Sequence, residues 1–343
     1  MGRISRRCVR RRGTGRDPIS AFWQWWADEG EDLLTTATRD GGFGSHVEVM
    51  TRQVQAIARG LEWETRTGWG AEHTLYVSGG ADPSLRAVAE RWFRASPPAG
   101  RRWEFAPARS PRPEMLESTI TYRGRTFDLA RTRVHANPTR AGDSFIVSVF
   151  NPAFTGQWDD EYELCVLLLE WLLGEDDVRR WVRRVDCIVH DVVDSISAAQ
   201  LPERVADLAR SLPRPHWLLL RGTLGSGSPI LVRVRRPLRW IDHPRLDLHS
   251  ALKVPFDADD QGLPAPSAED MLHSVEQALV RQLGPRGLLV ATETSRGVRT
   301  LHVYSDSEDR TARDVLDAAA RNSRRVSIRH TLDPTWKKVQ DFA

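Results

Sequence analysis

Cysteine is scarce: Cys8, Cys165 and Cys187 are the only three in 343 residues, odd in number, far apart and without a CxxC pair. That excludes a disulfide framework and a zinc site of the usual spacing. Lysine is as rare, with Lys253, Lys337 and Lys338 the only three among 49 basic residues. The bias reads as GC-rich codon usage, not as a separate task for every guanidinium. Long apolar runs are missing too. The longest, Leu164 to Leu173, is ten residues interrupted by Glu170, short of the ~20 needed to cross a bilayer, so no membrane span is expected and the run reads as a buried helix. No secretory leader is expected either, because Phe22-Trp-Gln-Trp-Trp26 is broken by a polar residue and followed by acids. A cytoplasmic protein is the expectation. What remains, 40% apolar and 28% charged, is the composition of a globular chain long enough for two or three domains.

The basic balance is local. Residues 1–16 hold seven arginines and no acid, and without them the net charge falls from +3 to −4. Net charge therefore predicts no nucleic-acid surface on the folded body. Arg6, Arg7, Arg10, Arg11 and Arg12 are the candidate contacts for nucleic acid or another anion, set against the plainer reading of 1–16 as a disordered basic tail.

The element order at the two ends is alike. Residues 17–110 read as an α+β module: an amphipathic helix from Pro18, a helix opened by a Ser45/Glu48 capping box, strands at 61–66 and 73–78, a helix begun by Asp82-Pro83, and a strand with Trp103 and Phe105. Residues 267–343 repeat α-β-β-α-β, and His73-Thr-Leu-Tyr-Val77 aligns with Arg299-Thr-Leu-His-Val303. The region 111–256 between them, bounded by the breaker-rich stretches 107–113 and 257–266, reads as mixed α/β. Strands are predicted there near 119–122, 125–129 and 144–150, helices at 159–173, 176–185 and 202–212, and a hairpin at 216–221 and 230–236.

Catalytic signatures fail on context. The Gly222, Gly225 and Gly227 cluster lacks the helix and the Gly-Lys-Ser/Thr of a phosphate loop, and Gly225-Ser-Gly227 lacks the spacing of a nucleophile elbow. Asp186-Cys187, His190-Asp191 and Asp242-His243 with Asp247 and His249 mix metal-ligating groups without a zinc signature. Glu161, Glu163, Glu175, Asp176 and Asp177 could serve a metal-dependent hydrolase or nuclease, but they also sit where helix starts favour carboxylates. No catalytic residue, metal or cofactor is assigned. Of thirteen tryptophans, Trp25, Trp69, Trp158 and Trp240 have no evident core position and are the candidate partner contacts.

Three stretches, Phe22-Trp-Gln-Trp-Trp26, Leu172-Leu-Gly-Glu-Asp-Asp-Val178 with Trp181, and Leu332-Asp-Pro-Thr-Trp336, resemble an uncharacterised family of bacterial proteins, many actinobacterial. That family carries a C-terminal domain of unknown function similar in fold to the regulator of ribonuclease E activity B. The resemblance implies a ferredoxin-like α/β sandwich near 267–340 and a non-catalytic, protein-binding role, with no catalytic residues to carry over. Inhibition of a ribonuclease does not transfer, because fold does not carry function. The expectation is an α+β protein with ferredoxin-like modules at both ends, acting as a non-enzymatic binding or regulatory protein; nucleic acid would enter only through the arginine tail.

Overall fold

The computed structural model describes residues 17–42, 44–321 and 325–342. Cys8 and the five tail arginines, Arg6, Arg7, Arg10, Arg11 and Arg12, lie outside them. The chain is α+β, as expected, and divides into two compact units, 17–77 with 91–107, and 78–90 with the rest from 108.

In the first unit α1 (Pro18–Trp25) starts on Asp17, whose carboxylate accepts the Ser20 N–H at 3.0 Å. A π-helical turn over Trp26–Gly30 leads into α2 (Glu31–Arg39). Gly30 is required there: a Cβ would stand 2.8 Å from the Trp25 ring. In α3 (His46–Ile57), Met50 and Val54 are buried, but the Ser45 side chain makes no cap bond and its backbone is helical, so the expected capping box is not formed. Strands β1 (Glu62–Thr67), β2 (His73–Ser78) and β3 (Trp103–Ala106) form a sheet in that order. The crossover from β2 to β3 runs through α4 (Arg86–Arg94), and the two strands pair in parallel. An aromatic core of Phe22, Trp23, Trp26, Trp92, Trp103 and Phe105 fills the unit, with Trp23 stacked on Trp92 at 4.9 Å.

The second unit opens with a hairpin of β4 (Thr119–Tyr122) and β5 (Arg125–Asp128), turned by Arg123 and Gly124 at φ 47° and 77°. A four-stranded sheet follows, built from β6 (Arg133–Pro138), β7 (Phe145–Phe150), β8 (Val182–Ile188) and β9 (Ile196–Ser197) in the order β8-β7-β6-β9. Its core is closed by α5 (Trp158–Leu173), with α6 (Glu175–Trp181) and α7 (Leu201–Ser211). The helix expected over 176–185 ends at Trp181. From Val182 the chain is extended, and its β-branched residues pair in parallel with β7 instead of continuing a helical stripe.

The remaining strands make one six-stranded antiparallel sheet: β10 (His216–Thr223), β11 (Pro229–Arg236), β12 (Leu248–Pro255), β13 (Gly287–Ser295), β14 (Val298–Ser305) and β15 (Ser327–Leu332), in the order β10-β11-β13-β14-β12-β15. With α8 (Pro266–Leu283) and α9 (Arg310–Arg321), Leu248 to Leu332 runs β-α-β-β-α-β. Its strands lie in the spatial order second, third, first, fourth, which is the ferredoxin-like arrangement. The first of these strands, β12, falls in the region 111–256 that the sequence pattern sets apart, where no strand is predicted over 248–255. It lies between β14 and β15 and pairs with both, so the sheet cannot be closed by 267–343 alone. The N-terminal end shares the element order but not this topology. There β2 and β3 pair directly with no strand between them, so that end is a βαβ-type crossover and not a ferredoxin-like module.

Each face of the six-stranded sheet is packed. Leu252, Val254, Leu301 and Val303 lie under α8 and α9 with Leu272, Leu279 and Leu316. On the opposite face Val232, Val234, Val290 and Tyr304 are covered by Trp336 and Val339 of the C-terminal segment. Asp333 holds that cover: its carboxylate accepts the Tyr304 hydroxyl at 2.6 Å and the N–H groups of Lys337 and Lys338 at 2.9 Å.

Candidate functional site

The acids of the middle region are engaged by arginines and backbone donors. Glu161 is buried and accepts from Thr155 N at 2.6 Å, Gly156 N at 2.9 Å and Arg125 at 2.7 Å. Glu163 takes the Tyr122 hydroxyl at 2.7 Å and Arg123 at 2.6 Å. Glu175 lies 2.9 Å from Arg179 and accepts the Arg109 N–H; Asp176 receives two bonds of 2.8 Å from Arg86; Asp177 pairs with Arg180. These carboxylates serve as counter-ions and loop anchors, an arrangement that does not favour the metal-dependent hydrolase reading.

The histidine and cysteine clusters also resolve into local roles. Cys165 is buried and Cys187 half-buried at the same hydrophobic core, both as free thiols. Asp191 caps its own loop through Val192 N and Ser195, and Asp247 receives Ser307. His243 stacks on Trp336 at 5.9 Å. His249 pairs with His302, their ring nitrogens 3.1 Å apart in the buried face of the sheet. Burial lowers the pKa of both to about 4. Among the described residues no group of three His, Cys, Asp or Glu is placed to share a metal ion. The Gly222–Gly227 loop joins β10 to β11 and closes on itself through Leu224 N to Ser228 O, 2.8 Å.

The four candidate tryptophans fall in different surroundings. Trp25 is half-buried against Phe22 and over Gly30. Trp69 is 68% exposed; its loop is held by Glu104, whose carboxylate accepts Trp69 N at 2.5 Å and Gly70 N at 3.3 Å. Trp158 opens α5, and its side chain lies outside the described atoms. Trp240, half-buried, borders a cleft of about 340 Å³ that also receives Arg140, Arg179, Arg180, Arg183 and Arg239. Neither the cleft nor its arginines were legible in sequence, because the cations come from three separated segments of a chain rich in arginine throughout.

A second feature is carried by a sheet edge. Nothing among the described residues pairs with the outer side of β10, and Trp217, Leu218 and Leu219 are 43%, 40% and 51% exposed. The strand pairs regularly with β11 along all eight residues. It contains no proline, lysine or acid, the devices that normally blunt an edge. Arg233 of β11 lies over the Trp217 ring at 5.0 Å. The hairpin was expected from sequence; that one of its strands ends the sheet was not.

Residues 217–342 match the profile of a family of unknown function (DUF695). The matched span coincides with the six-stranded sheet, its helices and the C-terminal segment that covers it. Neither a curated protein nor a solved structure matches the chain. Among the described residues no helix is long and apolar enough to cross a membrane.

Proposed function

We propose that the protein is a non-enzymatic binding or regulatory protein that takes an extended segment of a partner protein along the free edge of β10. The observation that carries this reading is the eight-residue, regular, uncharged-to-basic edge with Trp217, Leu218 and Leu219 exposed. Free main-chain groups there would supply affinity, and the alternating side chains on the two faces would supply specificity. The resemblance seen in the sequence supports a bacterial origin and a C-terminal domain of the kind found in the regulator of ribonuclease E activity B, and the broken apolar stretch after the arginines supports a cytoplasmic setting.

A photo-crosslinking residue at position 219, used in the native cytoplasm, tests the reading. One recurring partner protein should be captured, and Leu218→Lys with Trp217→Lys should abolish capture. Both side chains are partly exposed, and loss of the Arg233 contact over Trp217 is the main cost, so stability should fall by no more than about 1 to 2 kcal/mol. Adducts only to a second copy of the chain, or the same partner captured from a distant surface position, would overturn it.

A further inference from the structure

We infer that the arginine-lined cleft of the second unit is a binding site for a small phosphate monoester. Three segments supply its charges: the loop between β6 and β7 brings Arg140 and Asp143, the end of α6 and start of β8 bring Arg179, Arg180 and Arg183, and the segment after β11 brings Arg239; the C-terminal segment completes the wall with Trp336 and Gln340. The five cations are not equivalent. Arg179 is neutralised by Glu175 at 2.9 Å, and Arg180 lies between Asp177 and Asp242, the latter at 2.7 Å. Among the described residues Arg140, Arg183 and Arg239 pair with no carboxylate.

Arg239 is the informative one. Its guanidinium lies 4.2 Å from the centre of the Trp181 ring and donates to the carbonyl of Asp143, so its plane is fixed. Burial disfavours its charge, Asp242 and Asp143 offset this only from beyond ion-pair distance, and Arg180 adds repulsion, so the net effect lowers its pKa from the ordinary arginine value. A half-buried, oriented cation without a counter-ion is costly unless an anion completes it.

Charge and size narrow the ligand. The one carboxylate in the lining, Asp143, is turned to the hydroxyls of Thr139 at 3.3 Å and Ser144 at 3.1 Å. Three unpaired guanidiniums outnumber the carboxylates left around them, so the cleft is cationic and suits a phosphate monoester, which arginine forks bind in a bidentate manner. A cleft of about 340 Å³ is at the small end for organic ligands, and Trp240 and Leu238 give the organic part an apolar wall.

The experiment is calorimetric titration of the full chain with inorganic phosphate, ribose 5-phosphate and a phosphoserine peptide, on wild type and on Arg140→Gln/Arg183→Gln. Both substituted residues are exposed, so the fold is not at risk, and the double variant keeps the N-terminal arginines as an internal control. Saturable one-site binding of ribose 5-phosphate and of phosphate is expected, weakened at least tenfold in the double variant and in Arg239→Gln. Leu219→Lys should leave it unchanged, which separates this site from the β10 edge. No saturable binding of ribose 5-phosphate, equal binding in the double variant, or binding of the phosphopeptide alone would overturn the assignment.

Discussion

At the scale of single residues, Glu161 shows how a buried carboxylate is made useful. Burial by itself would raise its pKa, but the N–H groups of Thr155 and Gly156 and the Arg125 guanidinium outweigh that and hold it below the ordinary value. A depressed folded pKa stabilises fully above the unfolded value of about 4.3, and the contribution is lost as pH falls through the folded value. Glu161→Gln should therefore cost about 2 kcal/mol at neutral pH, and urea titrations between pH 5 and pH 3 should show a shallower acid slope in the variant. His249 and His302 act in another window. Both stay neutral in the fold down to about pH 4, whereas an unfolded histidine takes its proton near about pH 6.5. The unfolded chain binds more protons in that interval, so stability is full above it and falls as pH drops from about 6.5 to 4. Imidazole titration by NMR should find both groups unprotonated at pH 5.5; a protonated pair there would contradict the burial described.

At the scale of elements, α8 is fixed to the sheet by charge as well as by leucines. Arg299, buried on β14, bonds Glu269 at 2.7 Å and 3.0 Å, Glu276 at 3.1 Å and Thr294 at 2.8 Å. Arg233 of β11 also reaches Glu276. Arg299→Met would leave the buried Glu276 with one partner and should destabilise by about 3 kcal/mol, while Arg299→Met with Glu276→Leu should recover part of the loss, because replacing both charges removes the desolvation cost. Thermal melts of the two variants decide this. The sequence showed α8 and β13 to β15 through their periodicity. It predicted no strand at β12, although Leu248, Ser250, Leu252 and Val254 alternate with His249, Ala251 and Lys253 in a strand-like pattern.

At the scale of the whole molecule, the sheet defines a longer C-terminal unit than local patterning suggests. A fragment of residues 267–343 lacks β12, and without it β14 and β15, parallel to each other through that strand, have no partner between them. That fragment should show no dispersed amide spectrum, whereas residues 216–343, which hold all six strands and coincide with the family match, should fold. The same reasoning separates the two ends of the chain. They share the string α-β-β-α-β, but β12 precedes it in the C-terminal unit and inserts between β14 and β15, whereas β2 and β3 of the N-terminal end pair directly.

The sequence by itself determined the α+β class, most helices and hairpins, and the buried character of Leu164 to Leu173, because periodicity and turn chemistry act over neighbouring residues. It also offered a structural use, at helix starts, for the acids of the middle region. Tertiary structure alone decided that β12 sits mid-sheet, that β10 ends it, and that Arg140, Arg183 and Arg239 meet beside Trp240. Those facts depend on which distant strands exchange hydrogen bonds and on which charges are left without a partner once the chain has closed, and neither is encoded in any short window of residues.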